Sequence, residues 1–158
     1  MVCEFLYIKR LDVNSLREFL ESKNFKRIPL KKINSNHFEV IAKVNGIKGT
    51  FILDTGASNS CIGLDSTAHF KLQVKESEIR AAGAGATGMV TQIAEGYTLK
   101  VGGWTRRKVD FVVFDLSHVN EALQIAEADA VNGIIGADVL KEGRAVIDYG
   151  RNCIYLKQ

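Results

Sequence analysis

The residues best able to do chemistry lie between Phe51 and Ser58, a stretch that reads Phe-Ile-Leu-Asp-Thr-Gly-Ala-Ser. Three large apolar residues run directly into Asp54, so the pattern predicts a buried strand that carries a carboxylate into a turn of small residues. The chemistry that fits such a carboxylate is general acid–base catalysis by a pair of carboxylates. Two carboxylates about 3 Å apart share one proton, so one acts as base and the other as acid on an attacking water. In such a turn the hydroxyl of Thr55 would orient the loop, and Gly56 would let backbone approach closely.

A second block stands further along the chain. Gly133 to Leu140 reads Gly-Ile-Ile-Gly-Ala-Asp-Val-Leu, and Ala145 to Tyr149 follows as Ala-Val-Ile-Asp-Tyr. With the Phe51–Ser58 block before it, the sequence resembles the retropepsin-like aspartic proteases, a single-domain family that includes the retroviral proteases and many bacterial members, and it looks like a bacterial-type member. The resemblance covers about Phe38 to Leu156.

The resemblance implies an all-β dominated fold, a retropepsin-like acid protease β-barrel with short helices, to which this chain adds an N-terminal helix. We expect residues 1–35 to form an N-terminal extension with that short helix and residues 36–158 to form the protease domain. In the family the second block packs under the catalytic loop. The implied activity is hydrolysis of peptide bonds in a peptide or protein substrate, with Asp54, Thr55 and Gly56 as the catalytic residues and without a metal or other cofactor.

One chain supplies only half of such a site, because no other Asp is followed by Thr-Gly or Ser-Gly. A homodimer is therefore expected, with the second Asp54 contributed across a twofold axis. The strand from Asn152 to Leu156 is a candidate dimer edge, since an unpaired edge is a template for pairing, or it is an ordinary edge strand. The alternative function is a non-catalytic module that uses the same fold to bind a peptide or a partner.

A glycine-rich segment has three competing interpretations. Gly83, Ala84, Gly85 and Gly88 fall within a Gly-x-Gly-x-x-Gly pattern, the fingerprint of a dinucleotide-binding loop, but that loop needs a parallel strand before it and a full helix after it. Here β-rich sequence follows instead. The resemblance makes this segment part of a mobile flap that closes over substrate, and these four residues, with Ala57 and Ser58, are the candidate substrate-binding residues. A flexible surface loop is the other possibility.

The remaining pattern is mostly β. The predicted elements are a short helix opened by a Ser15–Glu18 capping box, an edge strand over 25–30, a hairpin over 37–53 that turns at Asn45-Gly46, a second hairpin over 93–114, short helices over 118–128 and 139–142, and a strand pair over 144–156.

Composition excludes several classes of protein. The 158 residues suit one domain, and the net charge of +3 comes from dispersed residues, so we expect no nucleic-acid partner. No apolar run approaches membrane-spanning length, so we expect no membrane association. Three cysteines without a C-x-x-C spacing and three scattered histidines predict no metal site, and reduced thiols indicate a cytoplasmic location.

Overall fold

A computed structural model of the chain describes residues 15–83 and 86–158. Its elements are, in chain order, α1 (Leu16–Ser22), β1 (Phe25–Pro29), β2 (Lys31–Lys32), β3 (Phe38–Val44), β4 (Ile47–Leu53), β5 (Cys61–Gly63), a 3-10 turn (Leu64–Ser66), β6 (Lys75–Gly83), β7 (Ala86–Val101), β8 (Trp104–Phe114), α2 (Ser117–Ile125), β9 (Gly133–Ile135), α3 (Ala137–Glu142), β10 (Val146–Asp148) and β11 (Cys153–Lys157).

The larger sheet closes into a six-stranded barrel. Its strand order is β3-β4-β9-β5-β8-β7, and the pairing of β3 with β7 joins the two ends. Outside the barrel, the short β2 pairs with β3, and β6 pairs with β7. Within the barrel β4 runs parallel to β9, and β5 runs parallel to β8, while the other pairs are antiparallel. The expected all-β fold with short helices is confirmed.

A separate three-stranded sheet is formed by the two ends of the described chain. Its order is β1-β11-β10, so β11 lies in the middle, with Ile154 opposite Ile28 on one side and Ile147 on the other. The prediction that Asn152–Leu156 forms a free edge is therefore wrong. The sequence showed the hairpin partner β10 but not β1, which comes from the opposite end of the chain.

The predicted helix near the start of the described chain is confirmed together with its cap. The Ser15 side chain accepts from the Glu18 backbone N–H at 3.3 Å, and Glu18 Oε2 accepts from the Ser15 N–H at 2.9 Å. These contacts satisfy two backbone donors that a helix start leaves unpaired. Leu20 anchors the helix by packing against Cys153 and Tyr155 of β11.

Both predicted hairpins are present. The first turns at Asn45 and Gly46, whose φ angles of 52° and 80° match the two left-handed positions of a tight hairpin turn. The second turns between β7 and β8 at Gly102, with a φ of 54°, and β7 begins earlier than its pattern indicated. The strands β5, β6 and β9 were not predicted, because each is short or charged and is defined only by its partners.

The main core fills the barrel and continues under the three-stranded sheet. Its members are all buried, and those with almost no exposed surface include Ile28, Phe51, Ile62, Phe70, Leu99, Trp104, Phe111 and Ile154. Trp104 also donates its indole N–H to the Lys157 carbonyl at 2.9 Å, which ties β8 to the end of β11. No helix in the described parts of the chain is long and apolar enough to cross a membrane.

Candidate active site

The carboxylate of Asp54 is delivered by β4, a strand that lies between β3 and β9 in the barrel. Phe51 and Ile52 are buried, and the pairing of β4 with β9 continues one residue past the strand, where the Asp54 N–H donates to the Ile135 carbonyl at 3.0 Å. Burial of the apolar strand fixes the position of its end. Asp54 itself is half-buried at that end.

The turn after Asp54 is held by the carboxylate. The Gly56 N–H donates to Asp54 Oδ1 at 2.8 Å, and a Cβ placed on Gly56 would lie 3.2 Å from the same oxygen. Thr55, Gly56 and Ser58 are exposed, and the Thr55 hydroxyl has no hydrogen-bond partner among the described residues. The predicted catalytic residues thus occupy one short loop, open on its outer side.

The second sequence block packs directly against this loop. The Ala137 N–H donates to the Ala57 carbonyl at 2.7 Å, and a Cβ on Gly136 would meet the Asn59 backbone at 2.7 Å. A Cβ on Gly133 would lie only 2.2 Å from the Cys61 carbonyl oxygen. Only glycine permits these approaches, which explains why the Gly-Ile-Ile-Gly spacing accompanies the Asp-Thr-Gly turn.

A polar pair formed by buried Ser60 and half-buried Asp138 holds the loop against α3. Ser60 is fully buried, and both its N–H, at 2.9 Å, and its hydroxyl, at 2.7 Å, donate to Asp138 Oδ1. The Ser60 oxygen in turn accepts from the Gly136 N–H at 2.9 Å. Sequence reasoning missed this pair. The only signal was Asp138 in the first turn of a short helix, where a carboxylate is favoured by the helix dipole.

An apolar cluster covers one face of β4 near its end. Side chains alternate along a strand, so Ile52 lies on the same side of the sheet as Asp54. Ile52 packs in a cluster with Ile33, Leu123 and Val131, which brings α2 over this face. By strand alternation, this apolar cluster lies on the same side of the sheet as Asp54.

The thiol of Cys61, which follows the Asp54 loop in the chain, is unreactive. Cys61 is buried, and its burial raises the pKa of the thiol to about 12, with smaller contributions of the same sign from Asp138 and Asp54. A thiol with so high a pKa stays protonated at neutral pH and is a poor nucleophile. Cys61 acts as a small buried apolar residue.

The described residues of the glycine-rich segment lie in two paired strands. Gly83 ends β6 opposite Ala86, which begins β7, and Gly88 lies within β7. Ala84 and Gly85 lie outside the described residues. A strand in place of the required helix excludes a dinucleotide-binding loop.

A metal-ion site is not formed by the described residues. Groups of three or more His, Cys, Asp or Glu side chains close enough to hold a metal do not occur in residues 15–83 and 86–158.

Comparison with known proteins indicates the same family that the sequence resembles. The profile of a family described as aspartyl protease matches residues 40–139. No curated protein is matched. Solved structures of similar fold include a retropepsin-like aspartic protease from Rickettsia conorii, with a TM-score of 0.57 and 18% identity over 84% of this chain and 90% of that one.

Two other solved structures share the fold. The retroviral protease-like domain of Ddi1 from Leishmania major gives a TM-score of 0.51 and 19% identity, over 75% of this chain and 86% of that one. The EIAV protease, solved with the inhibitor HBY-793, gives a TM-score of 0.51 and 22% identity, over 70% of this chain and 90% of that one. The family match spans more than half of the chain and contains the Asp54 loop together with Gly136 and Ala137, which support it. This chain belongs to the aspartyl protease family and has the retropepsin-like fold.

Proposed function

We propose that the chain is an aspartic endopeptidase that hydrolyses peptide bonds as a homodimer. The observation that carries the proposal is the Asp54 loop: a carboxylate at the end of a buried strand, closed by the Gly56 N–H and supported from below by Gly136 and Ala137. Such support is what a catalytic carboxylate needs, because the rate depends on holding it in position.

The proposed reaction uses a water held between two Asp54 carboxylates. Close carboxylates share one proton, so the ionised one takes a proton from the water as it attacks the peptide carbonyl carbon. The protonated one hydrogen-bonds to the carbonyl oxygen and gives up its proton, producing a gem-diol. One carboxyl group then gives its proton to the leaving nitrogen, and a gem-diol hydroxyl gives its proton to the other carboxylate as the C–N bond breaks. The products are an amine and a carboxylic acid, and the dyad again holds one proton.

The second carboxylate has to come from another copy. Asp138 is the other acid held against this loop, and its Oδ1 already accepts two hydrogen bonds from Ser60. Because its Oδ1 is engaged in these hydrogen bonds, Asp138 has a structural role. An isologous contact would bring a second Asp54 to the open side of the loop.

Exposed residues on the surface around Asp54 would form that dimer contact. Thr55 and Gly56 are exposed there. Phe38 is paired with Leu53, the residue before Asp54, and its ring lies 5.5 Å from that of Tyr149. Tyr149 is 68% exposed, which is unusual for a large aromatic ring and typical of an interface residue. We propose that Tyr149 and the Asp54 loop form part of the dimer contact.

We propose that substrate binds as an extended peptide between this loop and the β6–β7 hairpin. Gly83, Ala84, Gly85 and Gly88 would form the flap, and Ala57 and Ser58 would line the opposite side. Glycine allows the hairpin to open and close. The protein is expected to act in the cytoplasm, where its buried Cys61 and Cys153 would remain reduced.

The test is cleavage of a reduced, unfolded protein between pH 4 and pH 8, comparing the wild type with Asp54→Asn. Sedimentation measured in parallel gives the fraction of dimer. Cleavage lost in Asp54→Asn, and rising with the dimer fraction, supports the proposal. Cleavage that survives in Asp54→Asn, or that is carried by the monomer, rejects the dyad.

The second candidate is a non-catalytic module that binds a peptide or a partner. One observation favours it: β11 is paired on both sides within the chain, so the edge expected to join two copies is already used. A dimer that forms but cleaves no unfolded protein at any pH would favour the module.

A further inference from the structure

A groove on the outside of the barrel is independent of the Asp54 loop. It has a volume of about 450 Å³ and lies where the chain passes from β1 into β2 beside β3. Most of its lining is apolar; the residues used below are Ile28, Leu30, Glu39, Ile41, Lys43 and Lys100. We call it the β3 groove. Its volume is within the range of sites that bind small ligands or short peptide segments.

The β3 groove is also a break in the pairing of β3. On this side β2 pairs with Phe38 and Glu39, and β7 pairs with Ala42, Lys43 and Val44. No described strand pairs on this side with the two residues between them, 40 and 41. An open stretch of strand edge is a place where an extended peptide can add.

One oxygen of a buried carboxylate in the groove has no donor among the described residues. The Glu39 side chain is only 6% exposed, and its Oε2 lies 3.1 Å from Lys31 Nζ. Its Oε1 is buried and has no hydrogen-bond partner within residues 15–83 and 86–158. Buried polar atoms are nearly always paired in folded proteins, so this oxygen indicates a missing N–H or O–H donor.

Three lysines form a row beside the groove. Register places Lys43 between Lys48 on β4 and Lys100 on β7, and directly paired residues share a face of the sheet. None of the three forms an ion pair with a described residue. Like charges placed opposite one another repel, so an anion bound here would relieve the repulsion.

We propose that the β3 groove binds an extended peptide segment in which apolar and acidic side chains alternate. An apolar side chain of the peptide would fill the space between Leu30 and Ile41; the Ile41 side chain is 48% exposed. An acidic side chain of the peptide would contact Lys43 and Lys100. A peptide N–H would donate to Glu39 Oε1 once the exposed Lys31 side chain beside it moves aside. A phosphate-rich ligand fits less well, because it has no donor for Glu39 and its charge would be repelled by that carboxylate.

The binding experiment uses the full chain carrying Asp54→Asn, so that the probe stays intact whatever the protein does to peptides. The probe is a fluorescein-labelled peptide of alternating leucine and glutamate, blocked at both ends, measured by fluorescence anisotropy. Peptides of leucine with lysine and of serine with glutamate serve as controls. We expect the leucine–glutamate probe alone to bind, and to bind more weakly as salt is raised.

The variants locate the probe. The double change Lys43→Glu with Lys100→Glu should lower affinity about tenfold or more, whereas Lys108→Glu, an exposed lysine outside the groove, should change it less than about twofold. Ile41→Asp tests the apolar contact separately and should also weaken binding. Thermal melting confirms that each variant is folded; these side chains are exposed, so folding should be kept.

Several outcomes overturn the proposal. It is rejected if the probe does not bind, if the lysine and Ile41 variants bind it as tightly as the Lys108→Glu control does, or if the leucine–lysine peptide binds equally well. It is also rejected if single-stranded DNA or phosphatidylserine vesicles bind through Lys43 and Lys100 while the peptide does not. None of these outcomes depends on whether Asp54 catalyses hydrolysis.

Discussion

The hydroxyl of Ser60 lies 2.7 Å from Oδ1 of Asp138, a residue far along the chain. The same oxygen of Ser60 accepts from the Gly136 N–H, so a single buried hydroxyl joins the Asp54 loop to the segment that supports it. This small network restrains the loop that carries Asp54, and it can be tested without any assumption about substrate.

Removal of the Ser60 hydroxyl should destabilise the protein. Ser60→Ala leaves the Gly136 N–H without its acceptor and Asp138 with one donor fewer, at a cost of about 1–3 kcal/mol. Urea unfolding of Ser60→Ala and of Ser58→Ala, an exposed neighbour, provides the measurement and its control. Ser58→Ala should stay within about 0.5 kcal/mol of the wild type. Equal stability of the two variants would contradict the role given to Ser60.

A methyl group at Gly133 should prevent normal folding. Its Cβ would lie 2.2 Å from the Cys61 carbonyl oxygen, which is backbone and cannot move without breaking the β5–β9 pairing. Gly103→Ala is the matched control, because its Cβ would meet only the flexible Lys26 side chain, at 3.6 Å. Soluble yield and melting temperature should collapse for Gly133→Ala and change little for Gly103→Ala. A folded Gly133→Ala protein with normal melting would show that the two strands can separate.

The exposed ring of Tyr149 should contribute to self-association. If it lies in the dimer contact, Tyr149→Ser should raise the dimer dissociation constant by about tenfold or more, as loss of a buried interface aromatic does. Ile125→Ser removes an even more exposed apolar side chain, 87% exposed, from α2 and serves as the control. Sedimentation equilibrium over a range of concentrations measures both. A dissociation constant that changes equally in the two variants would place the contact elsewhere.

The pKa of Cys61 predicts a loss of stability in alkali. The unfolded thiol loses its proton near pH 9, whereas burial keeps the folded thiol protonated to about pH 12. Between these values the unfolded state binds fewer protons than the native state, so the free energy of unfolding falls as pH rises, by up to about 1.4 kcal/mol per pH unit. This contribution is fully present below pH 9.

Cys61→Ala separates this effect from other alkaline titrations, including that of Tyr155, whose pKa is also raised by burial. Urea unfolding at several pH values above 9 should give a shallower pH dependence for Cys61→Ala than for the wild type. Parallel curves would show that the thiol titrates alike in both states.

Local patterns were enough to predict much of the fold. The capping box at Ser15 and the Asn45-Gly46 turn each depend on residues close in sequence, and both are present as predicted. The Asp-Thr-Gly turn after a strongly apolar strand is likewise a local feature, so the sequence alone pointed to Asp54 and to the family.

Pairings between distant segments could not be predicted in this way. β5 and β9 are three residues long, and their positions depend on β8 and β4 rather than on their own composition. The error at β11 has the same origin, because nothing in Cys153–Lys157 shows that Phe25–Pro29 lies beside it.

The sequence by itself therefore determined the family, the identity of the candidate carboxylate and the need for a second copy if a dyad is to form, since each depends on residue types and on a motif that occurs once. Only the tertiary structure decided that Ser60 and Asp138 restrain the Asp54 loop, that β11 is enclosed by β1 and β10, and that Lys43, Lys48 and Lys100 stand in one row. The physical reason is that these relationships arise from hydrogen bonds and strand register between segments far apart in the chain, and such contacts leave no periodic signal in either segment.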